Sequence, residues 1–472
     1  MSAVEAGWWP AWAQAVPSES VTVTAGGPRR FTRPALGNWA DLAAGLASAR
    51  TALSGLTTDR VVAAFDEMSR RWTDSGFEHR RRAIHDIAAA TGFSCESVAQ
   101  SLDLEMGNYR ADPLRRLILR ELGSTEVLDE FVDDPLLAGR TRCMGPRLTV
   151  VSLSGNVPGL PALSIVRAVL ARSAVVAKVA AGEPTFLAHL VRSMVDIEPA
   201  IADAVVVTYW GHNETSHRRA AIEHADAVIA YGGEEACAAI RRELTPSHRY
   251  VEHGHKISVG VVSAQYLRAE GSAEVAARIA NDVSTFDQLA CIAPQAYIVE
   301  GDPASVARFA PEVAAAMERY ATRHPAAARD DELWATLRWA QLCDVWQESV
   351  DPLRSARSGR ALSWQVVVDA GLDRVEASHR VVRLVPVTSL DGARALLAPY
   401  ARYLQNVGLG VTESEAPAAM SWIAELGASR ISSPGRMSSP SVIWRHDGLS
   451  CLAALVRWCD VEMHAPARAA MS

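Results

Sequence analysis

The chain changes texture along its length. From about residue 38 to 122, apolar residues recur at threes and fours, as in Thr58 to Thr73 and 77 to 91, and this spacing predicts helix after helix. From Leu148 the pattern shortens. Leu148-Thr-Val-Val-Ser-Leu153 reads as a buried strand, residues 161–172 as a helix, and Ala174-Val-Val-Ala-Lys-Val179 as a second strand, together one βαβ unit. Pro161 suits a first helical turn, where its missing N–H is not needed. The alternation continues through a helix at 185–195, a strand at 204–209, a helix at 214–224, a strand at 226–231, a helix at 234–243 and a strand at 256–262. Repeated βα units imply a parallel sheet covered on both faces, so a doubly wound nucleotide-binding domain is expected.

A second series begins with a helix at 273–284 and a strand at 296–299, with later strands near 364–368, 381–387 and 407–411. It predicts a second α/β domain. Residues 326–358 read as helical and rather polar, and the tail from Ser432 is Pro/Ser-rich before an apolar run at 449–458. The expected division is a helical entry region plus nucleotide domain over 1–260, a catalytic α/β domain over 261–430, and a C-terminal segment over 431–472.

Composition narrows the function classes. At 472 residues the chain exceeds one simple core, and its 49% hydrophobic and 21% charged content is that of an ordinary globular protein. A net charge of −7 with both signs interspersed argues against a nucleic-acid partner. The most apolar stretch, 160–181, is interrupted by Arg167, Arg172 and Lys178, so no membrane span is expected. The N-terminus lacks the basic start and apolar stretch of a signal peptide, which makes a cytoplasmic location the expectation. Seven cysteines are scattered without paired short spacing, the pattern of reduced thiols.

Three segments can carry chemistry. In Phe286-Asp-Gln-Leu-Ala-Cys-Ile-Ala-Pro-Gln295, Cys291 sits in a loop between a helix and a strand; it is either a nucleophile or a buried, inert thiol. Ser154-Gly155-Asn156-Val-Pro-Gly-Leu-Pro161 joins the first strand to its helix, where ligands of open α/β sheets gather. Asn156 there can donate to a developing oxyanion, although Gly-Asn and Pro-Gly are also plain turn residues. Tyr231-Gly232-Gly233-Glu-Glu235 ends a strand and opens a helix, offering free N–H groups to a pyrophosphate without a GxGxxG pattern. His253, His255 and His446 invite a metal reading, but no run of carboxylates or cysteines stands at ligand spacing, so hydrogen-bonded or solvated histidine is expected and metal none. The thirteen tryptophans, Trp8-Trp9 included, are expected in core and interfaces.

Taken in order, these segments resemble the aldehyde dehydrogenase superfamily and, within it, the LuxC-type fatty acyl-CoA reductases. The likeness is carried by Gly155-Asn-Val-Pro158, Ala177-Lys-Val-Ala-Ala-Gly-Glu-Pro184, Val207-Thr-Tyr-Trp210, His224-Ala-Asp-Ala-Val228, Tyr231-Gly-Gly-Glu-Glu235, Phe286-Asp-Gln288 with Ala290-Cys291, and His446-Asp-Gly448 before Leu455-Val456. It spans roughly residues 60 to 460. The resemblance implies an aldehyde-dehydrogenase-like α/β fold, with two doubly wound parallel α/β domains (cofactor and catalytic) behind a helical N-terminal region. It also implies homo-oligomerisation, with the tail after Ser432 a candidate contact.

The resemblance implies roles residue by residue. Cys291 stands where the family places its nucleophile, and Asn156 where the superfamily places the side-chain oxyanion donor. Lys178 matches the lysine that reaches the adenosine ribose, Gly232 and Gly233 the turn under the pyrophosphate, and Ser154 and Gly155 belong to the same cofactor edge. Many NAD-preferring members carry a glutamate three residues after that lysine; here Ala181 removes its repulsion of a 2′-phosphate, so NADPH is expected, with NADH possible. The superfamily's Glu-x-Phe-Gly-Pro segment, which grips the nicotinamide ribose, is replaced here by Val385-Pro-Val387.

The expected activity is reduction of an acyl-CoA or acyl-carrier-protein thioester to the aldehyde. Cys291 forms the covalent thioester, with Asn156 and the Cys291 N–H holding the oxyanion. Glu252-His-Gly-His-Lys256 occupies the place of the segment whose glutamate activates water in hydrolytic relatives. Glu252, His255 and His446 are therefore read as a base or as the substrate edge. Two alternatives remain open: aldehyde oxidation to the acid with Glu252 as base, and a catalytically silent nucleotide-binding scaffold.

Overall fold

The computed structural model describes residues 4–24, 27–153, 155, 157–159, 162–328, 331–350, 355–372 and 379–462. Asn156, Ser154 and Pro161 lie outside them. Five helices, Trp39–Ser54, Thr58–Thr73, Glu78–Thr91, Cys95–Met106 and Ala111–Leu122, form the helical entry that the sequence periodicity predicts. Their starts and stops are local chemistry. The Thr57 hydroxyl accepts from Arg60 N–H at the head of Thr58–Thr73, and Gly92, at φ 78°, ends Glu78–Thr91 in the left-handed conformation.

The first sheet has five parallel strands in the order Arg249–His253, Ala227–Tyr231, Leu148–Ser152, Ala174–Lys178, Val205–Thr208. Helices such as Ala162–Leu170 and Phe186–Met194 bury their apolar sides on it, which is why Val150, Val151, Val175 and Val206 are almost wholly enclosed. The second sheet has seven strands in the order Ser355–Ser358, Gln365–Val368, Val381–Val387, Pro294–Glu300, Ile257–Val262, Leu404–Gly410, Arg430–Ser432. Only its first pair is antiparallel.

Two small sheets complete the described chain. Val4–Glu5, Ser18–Val23 and Arg29–Pro34 pair near the N-terminus, and Arg457–Val461 pairs antiparallel with Gly139–Met144, itself paired with Val132–Asp134. Among the described residues no helix is long and apolar enough to cross a membrane.

The chain passes from one large sheet to the other within three residues. His253 ends the last strand of the first and Ile257 opens a central strand of the second. The carboxyl edge of one sheet therefore faces the amino edge of the other. Gly155, Gly232 and His253 follow or end strands on the first side, while Cys291, three residues before Pro294, and Gln405 in Leu404–Gly410 precede or begin strands on the second. Ligands of open α/β sheets bind in this kind of crevice, where the chain turns from the central strand to opposite sides.

Candidate active site

A cavity of about 310 Å³ fills the crevice. Gly155, Gly232, Gly233, His253, His255, Cys291, Gln405, His446 and Asp447 all reach it, so most of the residues singled out in the sequence converge here. A smaller cavity of about 30 Å³ also reaches Cys291, lined by Val157, Phe286, Ile292 and Trp444 among others. Cys291 lines both.

Cys291 is presented by a tight left-handed turn. Phe286, Asp287 and Gln288 have φ of 56°, 49° and 64°, a conformation that side-chain-bearing residues adopt only when their surroundings impose it. Those surroundings are polar and buried. Asp287 accepts from Arg380 Nε at 2.7 Å and from Ala327 N–H at 2.6 Å, and Gln288 donates to the Pro294 and Val381 carbonyls while accepting from Val381 N–H. After the cysteine, Ser258 Oγ donates to the Cys291 carbonyl at 2.6 Å and Asn406 Nδ2 to the Ile292 carbonyl at 3.0 Å. The backbone on both sides of Cys291 is thus held in place.

Burial, reinforced by the charge of Asp447, pushes the Cys291 thiol up to about 12, against the pull of the Gln405 side chain and the Cys291 and Ile292 N–H groups. The resting group is a thiol and needs a proton acceptor to become a nucleophile. A pair not anticipated in the sequence stands in the same cavity. His253 Nδ1 lies 2.8 Å from Asp447 Oδ2, and Gln405 Nε2 donates to Asp447 Oδ1 at 2.5 Å. Burial alone would raise Asp447, but these hydrogen bonds and the two nearby imidazoles outweigh it and hold the carboxyl below its usual range. An ionised carboxylate only accepts, so Nδ1 carries the proton and Nε2 faces away. Nε2 of His253 is buried and has no hydrogen-bond partner among the described residues.

His253 is stacked between Tyr231 and His446, at centroid distances of 4.5 and 4.1 Å. Burial above all pushes His446 down to about 3, so it is neutral. Ligating atoms of His253, His446 and Asp447 come within 4.8 Å of one another. The imidazole planes, however, lie only 25° apart face to face, so their in-plane lone pairs run side by side instead of meeting at one ion.

Residues 53–458 match the acyl-CoA reductase (LuxC) family. The chain belongs to that family. It is 25% identical over 413 residues to the long-chain acyl-protein thioester reductase of Aliivibrio fischeri, covering 86% of this chain and 83% of that one. The protein of the same description from Photorhabdus luminescens is 26% identical over 401 residues, 84% and 80% of the two chains. Among solved structures, aldehyde dehydrogenase 21 of Physcomitrella patens superposes with a TM-score of 0.71 at 11% identity, over 98% of each chain. The NADP-dependent glyceraldehyde-3-phosphate dehydrogenase of Bacillus halodurans does so with 0.65 at 15%, over 94% and 95%. The fold of this LuxC family member is that of an aldehyde dehydrogenase.

The remaining sequence candidates fall at distinct places. Glu252 precedes His253 in the strand and so points to the opposite face, where Arg241 holds its carboxylate at 2.5 Å; it does not line the cavity. His255 lines the cavity and meets the Tyr403 ring edge-on. Lys178 ends its strand with Nζ 5.7 Å from the Tyr209 ring centroid, and burial pushes it down to about 8. Ala181 follows it, half-buried.

The crevice fits a dinucleotide. A Cβ on Gly155 or Gly233 would meet nothing within 4 Å among the described residues, Gly155 holds φ at 96°, and Gly233 caps the helix Glu234–Arg241. Glu234, first in that helix, is drawn aside by Arg402 at 3.1 Å and Tyr403. No carboxylate pairs with Lys178 among the described residues, which leaves its ammonium for a ligand.

Proposed function

We propose that this protein reduces an acyl thioester, delivered on coenzyme A or a carrier protein, to the aldehyde with NADPH through a covalent acyl thioester on Cys291. The observation that carries the reading is one cysteine lining both a glycine-edged crevice, which His253 and Asp447 also line, and a second, smaller cavity. The relatives' description as long-chain acyl-protein thioester reductases supports the same chemistry.

The chain's residues divide the work. His253 Nε2 takes the Cys291 proton as the sulfur attacks the acyl carbon, Asp447 holds the imidazole in the accepting tautomer, and the same proton goes to the departing thiol. The Cys291 N–H, with Asn156 in the role the family resemblance gives it, stabilises the tetrahedral oxyanion. Reduced nicotinamide supplies the hydride when bound. Collapse of the resulting alkoxide breaks the carbon–sulfur bond, releases the aldehyde, and returns Cys291 as a thiolate that takes a proton from solvent.

Incubating the protein with acyl thioesters and weighing it intact should show one acyl adduct, discharged as aldehyde on adding NADPH. Cys291→Ala should show neither adduct nor turnover. Turnover by that variant at the wild-type rate would reject the reading.

A further inference from the structure

A second concave site lies at the far edge of the first sheet. Because its five strands run parallel, their amino ends gather at the edge away from Gly155, Gly232 and His253. A cavity of about 640 Å³ opens there, within the range of about 300–1,000 Å³ that small-molecule sites occupy. Arg147 and Arg172 reach it just ahead of the strands Leu148–Ser152 and Ala174–Lys178, and Arg249 opens the strand Arg249–His253. Arg50 enters from the helix Trp39–Ser54, and Arg142 and Arg457 from the antiparallel pair Gly139–Met144 and Arg457–Val461.

Six guanidinium groups and one carboxylate, Asp226, therefore line a single space in a chain whose net charge is −7. Two of the six are paired, Arg147 with Asp226 and Arg172 with Asp129, each at 2.8 Å. The other four form no ion pair among the described residues. Arg50 donates to the Arg172 and Gly145 carbonyls, and Arg457 meets the Met144 sulfur at 3.8 Å. Nε of half-buried Arg142 is enclosed without a hydrogen-bond partner among the described residues, and the Arg249 side chain makes no hydrogen bond to them. Burial, with the Arg147 charge beside it, pulls the Arg50 guanidinium below its ordinary value against the opposing charge of Asp226.

A guanidinium cannot shed its charge, so four unmatched ones around one cavity repel one another. A multivalent anion relieves that repulsion, and the planar N–H forks of arginine match phosphate oxygens in pairs. The adjoining cavity of about 680 Å³ shares Arg147, Asp226 and Ser247 with this one but carries Glu223 and Glu243. The excess positive charge is thereby confined to one end of a longer groove.

We propose that this arginine-lined cavity binds a small ligand carrying two or more linked phosphates, with Arg142, Arg249 and Arg457 recognising the phosphate chain. Linked phosphates place several charges within a short length and so meet several guanidinium groups at once, whereas a single phosphate or carboxylate leaves most of them unmatched. A nucleoside polyphosphate and free polyphosphate share this chemistry; the adjoining cavity gives the nucleoside of the former a place to lie. The site is not the coenzyme's, because the length of the strands separates it from the glycine turns, and it does not depend on the role of Cys291. A concave space of this size suits a small molecule better than the broad face of another protein.

The test is isothermal titration of the full-length protein with inorganic tripolyphosphate, ATP and AMP, free of magnesium, in about 0.15 M salt, where exposed charges are screened beyond about 8 Å. Tripolyphosphate should bind saturably, and AMP at least about tenfold more weakly. Arg142→Met and Arg249→Met, read on protein with an intact thermal transition, should each weaken tripolyphosphate by at least about tenfold, and Arg249→Lys should restore part of the loss. NADPH binding should be unchanged in all three. Arg308→Met, at an exposed position of the helix Pro303–Arg323, should change neither ligand. ATP binding more tightly than tripolyphosphate assigns the nucleotide form of the ligand; equal or weaker binding assigns free polyphosphate. No saturation by tripolyphosphate up to about 1 mM overturns the site. So does an affinity that Arg142→Met and Arg249→Met leave unchanged, or a loss that Arg308→Met matches. Polyaspartate binding more tightly than tripolyphosphate overturns it as well and makes the patch a protein-docking surface.

Discussion

His253 and Asp447 stand 194 residues apart in the chain and meet at 2.8 Å in the site. That contact makes two opposed predictions for Asp447→Asn. Loss of the carboxylate frees the imidazole to take the wrong tautomer, so acylation of Cys291, followed by rapid mixing with a thioester, should slow about 10²–10⁴-fold. The same change removes a negative charge that raises the thiol, so the pH midpoint for iodoacetamide alkylation of Cys291 should move down. A merely structural Asp447 would not drive these readouts apart. An unchanged acylation rate would remove the relay.

Glu252 separates reduction from hydrolysis. Its carboxylate is held by Arg241 on the strand face opposite His253, so Glu252→Gln should keep thioester reduction within about threefold and leave stability almost unchanged, as expected of an exposed pair. Coupled assays of aldehyde and acid formation check it. Loss of acid formation alongside intact aldehyde binding would instead identify a hydrolytic enzyme.

Where side chains repeat with the period of an element, the fold was legible. The valine-rich strands at Leu148–Ser152, Ala174–Lys178 and Val205–Thr208 lie where continuous apolar runs predict them, because strands buried on both faces need no polar alternation. Arg249–His253 was not legible. Its Arg-Tyr-Val-Glu-His sequence serves a half-buried edge strand, so it shows neither a run nor a clean alternation. The site was legible in the same measure. Cys291 and the glycine turns carry signals in their local sequence, whereas Gln405 and Asp447 acquire their roles only from tertiary contact. Asp447 did lie within the quoted His446-Asp-Gly448, and a carboxylate beside a conspicuous histidine is the one signal that pointed to it.

The coenzyme edge gives a paired prediction. Lys178, pushed down to about 8 by burial, begins to lose its charge in the free protein near that pH. Affinity for NADPH should therefore fall as pH rises through about 8, and Lys178→Met should weaken binding and flatten that dependence. Ala181→Glu should lower NADPH affinity by at least about tenfold through repulsion of the 2′-phosphate while sparing NADH. Fluorescence titration with both coenzymes reads these changes; equal effects on the two would detach Ala181 from the 2′ position.

The left-handed turn before Cys291 should be the part of the site that most needs its neighbours. Three consecutive residues with side chains, Phe286, Asp287 and Gln288, are held at positive φ, at a conformational cost of about 1–2 kcal/mol each. The Asp287–Arg380 pair opposes that cost from within the core, each side chain only 1% exposed. Asp287→Ala removes the acceptor and leaves Arg380 buried without its counter-charge, a loss of about 3–5 kcal/mol. Asp287→Asn keeps an acceptor and a residue tolerant of the left-handed region, and should fall between wild type and alanine. Urea unfolding gives the stability order, and Cys291 alkylation measured well below each midpoint shows whether the sulfur has moved. If Asp287→Ala unfolds at the wild-type midpoint with Cys291 equally reactive, the turn is held by Gln288 and its bonds to Val381 instead.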